Sequence, residues 1–369
     1  MQILTVIGAR PQIIKAAAVS RAISSSFSDS VTEHILHTGQ HYDTNMSQVF
    51  FDELGIPQPE YNLGVGSGRH GEQTAKMISG IEEVLMSNTF DGIILYGDTN
   101  STLAGAVAAS KLHVPIFHIE AGLRSYNRMM PEEINRIVCD QLSTILFAPT
   151  QTAVDNLREE GFFADHPTIH RRVVNCGDVM YDNSIHFAKI ASERCNIMKR
   201  LSLRHESYIL ATIHRDNNTD DPHRLEQILR AIADIAHRDN IPVILPLHPR
   251  TRNKLSAQHR AILDSEPLIR IQEPFSFLEM TLMEQNALLI MTDSGGVQKE
   301  AFFFERPCII MRPETEWVEI VQHHAGIIAD ADYQRIVDAY DRLVNSNITF
   351  PQLFGDGHAA EHIIHNILS

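Results

Sequence analysis

Short apolar runs alternate with amphipathic stretches almost without interruption along this chain. The runs QILTVIG, EHILHT, DGIILYG, PIFHIEA, TILFAPT and RVVNCG form a first series, and YILATIH, PVILPLH, IRIQEP, ALLIMTD and PCIIM form a second. Most are apolar nearly throughout and rich in Ile, Val and Leu, the pattern of parallel strands covered by helices on both faces. Between them lie helical patterns such as NSTLAGAVAASKL, PEEINRIVCDQLS, DPHRLEQILRAIADIAHRD and GVQKEAFFF. Strand–helix alternation of this kind predicts right-handed βαβ units and an α/β, doubly wound architecture.

About eleven strands are too many for one ordinary open sheet, so the series divides into two similar halves. The helical stretch MYDNSIHFAKIASERCNIMKRLSL separates them and sets the boundary at 175/176. Residues 1–175 are expected to form one Rossmann-like domain, joined by a C-terminal helix over 357–369, and residues 176–356 a second. In open α/β sheets ligands bind beyond the carboxyl ends of the strands, which predicts parallel sheets facing a central cleft lined by the loops that follow them.

Composition narrows the function. The 369 residues include 46 Asp+Glu against 31 Lys+Arg, a formal charge of −15. That balance argues against an electrostatic nucleic-acid binder, which needs clustered Lys and Arg. No apolar run approaches the roughly 20 residues that span a bilayer, so membrane insertion is not expected. The opening MQILTVIGARPQ lacks a basic segment and a small-residue cleavage site. Cys139, Cys176, Cys195 and Cys308 are scattered without a C-x-x-C pair, which fits unpaired thiols and a cytoplasmic protein.

The loops after the strands carry the chemistry. The first ends in Gly8-Ala9-Arg10-Pro11, with Lys15 further on. DGIILYG leads into Asp98-Thr99-Asn100-Ser101, and PIFHI into Glu120-Ala121-Gly122-Leu123-Arg124, followed by Pro131-Glu132-Glu133. In the second half, His214-Arg215-Asp216, His248-Pro249 and Asp293-Ser294-Gly295-Gly296 occupy equivalent positions. Any one of these loops is accounted for by helix capping or dipole compensation. Several acids and a His at one class of strand end point instead to a catalytic cleft. Ser294-Gly295-Gly296 lets the backbone approach an anion at a helix start, and Arg10 and Lys15 offer opposing charge for a diphosphate.

Four motifs are set aside. Gly66-Ser-Gly68-Arg-His-Gly71 matches G-x-G-x-x-G, but the PQPEYNL before it is no buried strand and no acid follows at the dinucleotide spacing. His358-Ala-Ala-Glu361-His362 matches a zinc pattern but reads better as a solvated terminal helix. His214-Arg215-Asp216 resembles a kinase catalytic loop, yet Asp221 stands where an Asn is needed and no D-F-G occurs. The 20 histidines include no pair with convincing metal-ligand spacing, so neither metal nor cofactor is expected.

GARPQIIK, TGQHYD, YGDTNSTLAGA, HIEAGLRS, MPEEINR, FAPT, TIHR and TDSGGVQKEA, in this order over residues 4 to about 320, resemble the non-hydrolysing UDP-N-acetylglucosamine 2-epimerases. The resemblance implies a GT-B-like fold of two Rossmann-type domains and a UDP-sugar substrate. It also implies a homodimer, and a C-terminal helix, GHAAEHIIHNIL, that returns to the first domain. The family reaction inverts C2 of the sugar. Because the C2 hydrogen is not next to a carbonyl, the implied route is loss of that proton with anti departure of UDP. The resulting 2-acetamidoglucal is protonated on the opposite face as UDP re-adds, which needs acid/base groups at C2 and a rigid diphosphate clamp.

By resemblance the catalytic set is Asp98, Glu120, Glu132 and His214. The three carboxylates would exchange the C2 proton, and His214 would donate to phosphate or sugar. Arg10, Lys15, Ser294, Gly295, Gly296 and Glu300 would hold UDP, with Glu300 on the ribose. Gln40, His41, Arg69 and His248 partly resemble a second, activating UDP-sugar site. The chain departs from the family's T-E-R-P-E pattern with Thr315-Glu316-Trp317-Val318-Glu319, which loses an Arg. GARPQ and GSGRHGEQT resemble the branch acting on UDP-2,3-diacetamido-glucuronate, for which Arg69, Arg124 and Arg312 are candidate carboxylate partners. A GT-B glycosyltransferase, a hydrolysing epimerase and a non-catalytic UDP-sugar-binding module are the alternatives.

Overall fold

The computed structural model describes residues 1–40, 55–164 and 170–369. They form two units, Met1–Asn183 with Gln352–Ser369, and Ser184–Pro351, so the chain leaves the first unit within helix Val179–Arg194. Both sheets are parallel throughout.

The first unit holds β1 (Gln2–Ile7), β2 (Thr32–His37), β3 (Tyr61–Asn62), β4 (Gly92–Tyr96), β5 (Ile116–Ile119), β6 (Ile145–Ala148) and β7 (Arg172–Asn175). Their order in the sheet is β3-β2-β1-β4-β5-β6-β7. The second unit holds β8 (Ile209–Thr212), β9 (Val243–Pro246), β10 (Ile269–Gln272), β11 (Leu289–Thr292), β12 (Cys308–Ile310) and β13 (Gly326–Ile328), in the order β10-β9-β8-β11-β12-β13. Each order grows outward from its first strand in both directions, the doubly wound pattern of a Rossmann fold. The direction in which the strand order grows reverses between β1 and β4 in one sheet and between β8 and β11 in the other, the position at which such a sheet opens a crevice at its strand carboxyl ends.

The strands are short because their central residues are buried on both faces: Ile93, Ile94 and Leu95 of β4, and Leu289, Ile290 and Met291 of β11, have no exposed surface. Helix Pro222–Asp239 shows how the flanking layer forms. Asp221 caps it by accepting from the backbone N–H groups of His223 and Arg224, Pro222 occupies the first turn, and Asn240 ends it in a left-handed conformation. Leu225, Ile228, Leu229, Ile232, Ile235 and Ala236 recur at helical spacing on its buried face, each large side chain contributing about 1.5–3 kcal/mol of burial.

Two strands are added to those read from the sequence. β3 is a two-residue edge strand, and β13 a three-residue one, too short for an alternation signal. The terminal helix is also corrected. Ala359–Leu368 buries Ala359, Ala360, Ile363, Ile364 and Ile367 and packs against helix Arg10–Ala22, so only one of its faces is solvated. His358 and Glu361 lie outside that buried set, and no cluster of metal-ligating side chains occurs among the described residues. The four cysteines are free. No helix among the described residues is long and apolar enough to cross a membrane.

Candidate active site

In the first unit the β1/β4 crevice and the neighbouring end of β5 collect the acids. After β1, Gln12 accepts from the N–H groups of Gly8 (2.9 Å) and Ala9 (3.2 Å) and donates to the Tyr96 carbonyl at the end of β4 (3.0 Å). This ties the two loops that flank the crevice. A Cβ on Gly8 would lie 2.1 Å from both Ser101 Oγ and Thr38 Oγ1, so only glycine allows the β1, β2 and β4 ends to close up here. Arg10 opens the following helix and is exposed, and Lys15 sits one turn later.

Lys15 pairs with Glu120, both side chains nearly buried. Glu120 follows β5 with φ +72, in the left-handed region, where a non-glycine residue stores strain of order 1–2 kcal/mol. Its N–H and that of Ala121 both donate to the Phe147 carbonyl at 3.1 Å, which holds the turn. Asp98, after β4, pairs with Arg136, which also donates to Glu133 at 2.9 Å. Burial opposes the Arg136 charge, and Asp98 and Glu133 more than offset it. Asn135 fixes the backbone by donating to the Asp98 carbonyl at 2.9 Å. Two of the three predicted acids therefore stand charge-paired at adjacent strand ends.

Glu132 and Glu133 separate in role. Glu133 is buried, accepting from the Ser125 N–H and hydroxyl (both 2.9 Å) and the Tyr126 N–H (3.0 Å). Burial raises its pKa, but those bonds and Arg136 hold it below the usual carboxylate range. Glu132, in the same first helical turn, is exposed. Gln40, buried after β2, accepts from the Ser101 N–H (3.1 Å) and hydroxyl (2.8 Å), so it joins this edge through the loop after Asp98. Arg69 is exposed just before helix His70–Ser87. Asn100 contacts His70 at 3.2 Å and donates to Gln73 at 2.8 Å, so GSGRHGEQT, no dinucleotide fingerprint, borders the same edge. His41 lies outside the described residues.

In the second unit His214 follows β8 and Ser294 follows β11, the two strands flanking its crevice. The imidazole Nδ1 lies 2.6 Å from Asp293 Oδ1, and the Asp293 carboxylate also accepts from the N–H groups of His214 and Arg215 and from Asn218. Burial pushes the Asp293 carboxyl up, but His214 and these donors hold it below its usual value. Ser294 caps helix Gly295–Phe303, accepting weakly from the Val297 N–H at 3.5 Å. Gly295 and Gly296 begin that helix, leaving first-turn N–H groups for an anion. Glu300 lies in its second turn, and its charge, with burial the larger cause, pushes the neighbouring Glu284 carboxyl well above the carboxylate range. His248 caps helix Pro249–Lys254 through its Nδ1, which accepts from the Arg250 N–H at 3.3 Å.

Several residues escaped the sequence reading. Asp293 and Arg136 stood inside quoted motifs, and a carboxylate directly before Ser-Gly-Gly was the available signal for the first. Arg124 is corrected as a free cation: it is buried between Asp140, at 2.8 Å, and Glu160, at 2.6 Å. Arg312 is likewise held by Glu316 through two bonds of 2.9 and 3.1 Å. Trp317, standing in place of the family's Arg, is buried under the Lys299 ammonium, 4.1 Å from its ring centre.

Residues 25–368 match the family model described as UDP-N-acetylglucosamine 2-epimerase. The chain is 48% identical to the UDP-2,3-diacetamido-2,3-dideoxy-D-glucuronate 2-epimerase of Pseudomonas aeruginosa over 365 residues, covering 98% of each. It is 39% identical to the UDP-N-acetylglucosamine 2-epimerase of Methanocaldococcus jannaschii, over 99% of this chain and 98% of that one. The crystal structure of the M. jannaschii enzyme in complex with UDP-GlcNAc and UDP superposes with a TM-score of 0.86, at 39% identity, covering 100% and 99% of the two chains. The Neisseria meningitidis UDP-GlcNAc 2-epimerase bound to UDP-GlcNAc gives 0.85 at 26% identity, covering 100% of both. The family match spans most of the chain and the relatives cover nearly all of it, and the chain belongs to the UDP-N-acetylglucosamine 2-epimerase family.

Proposed function

We propose that the chain is a non-hydrolysing 2-epimerase that interconverts the gluco and manno forms of a UDP-linked 2-acetamido sugar of the UDP-GlcNAc type. The observation that carries this is the pair of acids, Asp98 and Glu120, each held against its own cation at adjacent strand ends. Elimination takes a base at C2 and the inverting re-addition an acid on the opposite face, and the neighbouring carboxylates, with Glu132 on the helix that bears Arg136, would supply that set. In the second unit His214, oriented by Asp293, and the Ser294–Gly296 helix start would hold the departing diphosphate. Glu300 would take the ribose hydroxyls. The first unit thus carries the sugar chemistry and the second the nucleotide. Assembly as a homodimer, a cytoplasmic location and activation through Gln40, His41, Arg69 and His248 belong to the same proposal on family resemblance.

A second reading keeps the chemistry and changes the sugar to the UDP-2,3-diacetamido uronate. The 48% relative favours it, and so do GARPQ and GSGRHGEQT. With Arg124 and Arg312 held by acids, exposed Arg69 is the candidate partner for the uronate carboxylate. Incubation with each nucleotide sugar in D₂O, followed by NMR, tests both readings. Deuterium at C2 of intact epimerised product is expected, and the faster substrate names the branch. Turnover with C2 protium retained in every product overturns the mechanism, and release of free sugar with UDP makes the enzyme a hydrolysing one.

A further inference from the structure

His118 lies in β5, two residues before Glu120, with no exposed surface. Its Nδ1 faces Asp140 Oδ1 at 2.7 Å and its Nε2 faces the Gly97 carbonyl at 2.8 Å. A neutral imidazole has one N–H and one lone pair, so one of these contacts would set a lone pair against an oxygen. A proton on Asp140 Oδ1 would relieve this, but the other oxygen accepts from the Gly122 N–H (3.1 Å) and lies 2.8 Å from the Arg124 guanidinium; burial raises the Asp140 pKa, yet His118 and Arg124 hold it below the usual carboxylate value. With Asp140 kept ionised beside Arg124, hydrogen is assigned to both ring nitrogens. Burial opposes the charge, but Cys139 and Asp140 beside the ring push its pKa well above the usual value.

The connectivity gives this ion pair a role. Gly97 precedes Asp98, and Gly122 follows Glu120 by two residues. One buried carboxylate thus grips the Asp98 loop through His118 and the Glu120 loop directly, from the helix (Pro131–Leu142) that also bears Glu132 and Arg136. We propose that Asp140, with His118 as a buried imidazolium, is the positioning pair that sets the three acid-bearing segments in register for proton transfer at C2. The inference rests on the epimerase reading above. Neither residue touches substrate; each acts on the acids by holding the backbone that carries them. Displacing a catalytic group by about 1 Å costs about 10²-fold in rate.

The full chain labelled with [¹⁵N]histidine tests the charge state, the His118 signal being identified by its loss in His118→Gln. Both ring nitrogens are expected to be protonated throughout about pH 6–9, well past the ordinary histidine pKa. In Asp140→Asn the amide faces Nδ1 and His118 becomes a neutral tautomer. There kcat for C2 epimerisation is expected to fall about 10²-fold while KM changes less than about threefold. Glu160→Gln loosens Arg124 yet keeps both grips of Asp140, and should leave kcat unchanged. If Asp140→Asn does not fold, His118→Gln carries the same expectation. A neutral His118 in the wild type, or wild-type kcat in the folded variants, overturns the inference. An inactive wild type on either UDP-sugar sinks the epimerase reading instead, a result the variants do not mimic.

Discussion

His214 and Asp293, 79 residues apart in sequence, meet at 2.6 Å because β8 and β11 are neighbours in the sheet. The contact directs Nδ1–H at the carboxylate and leaves Nε2 as the nitrogen free to act. Asp293 accepts from two backbone N–H groups, the His214 ring and Asn218, so every approach to it is by a donor. An amide in its place turns an NH₂ toward those donors. Asp293→Asn is expected to lower kcat about 10²-fold and to cost about 1–3 kcal/mol of stability, read from steady-state kinetics and urea unfolding. Because the folded pKa is depressed, the Asp293 contribution is present above the unfolded carboxylate pKa and lost as pH falls through the lower folded value.

Glu132 and Glu133 are adjacent carboxylates with opposite expected phenotypes. Glu133→Gln breaks a set of bonds to Ser125, Tyr126 and Arg136 and should destabilise by about 1–3 kcal/mol. Glu132→Gln should change stability by less than about 0.5 kcal/mol and cut C2 exchange in D₂O by about 10²-fold or more. Equal loss of stability in both variants would remove Glu132 from the chemistry.

Gly122 has φ +81, and a Cβ there would lie 2.4 Å from the Ala153 carbonyl oxygen, whereas Gly64, at φ +57, has open space around it. Gly122→Ala combines strain with a backbone clash and is expected to cost more than about 3 kcal/mol. Gly64→Ala, with strain alone, should cost about 1 kcal/mol. Thermal unfolding of the two variants separates the contributions.

Asp182 accepts from the N–H groups of Ala359 (3.1 Å) and Ala360 (2.8 Å) and so caps the C-terminal helix. Burial, helped by Glu361 and Asp178 and opposed by those N–H groups, pushes its pKa up to about 6. The folded pKa exceeds the unfolded one, so the linked stabilisation is complete below the unfolded pKa and lost as pH rises through about 6. Its size is at most about 3 kcal/mol. Wild type should therefore gain stability relative to Asp182→Asn between about pH 7.5 and pH 5; a flat difference would show that the carboxyl is not desolvated.

Much of the fold was written in the local pattern. Uniformly apolar runs such as GIILY require burial on both faces, and burial of short strands between helices permits little besides a doubly wound parallel sheet. The strand-end loops followed directly, and with them Arg10, Asp98, Glu120, His214 and Ser294–Gly296, because a residue's place after a strand is a one-dimensional property. β3 and β13 were not legible, since two or three residues carry no period. What the tertiary structure decided is which charge meets which. Arg124 reads as an available cation until Asp140 and Glu160 close on it, and Glu132 and Glu133 read alike until only one finds donors. Lys15 with Glu120 and Arg136 with Asp98 are partners with further strands and helices between them, and His118 and Asp140 are a strand residue and one on the helix that follows it. Their pairing depends on strand order and helix placement, which act at distances of a few ångströms in space and leave no spacing rule in the chain.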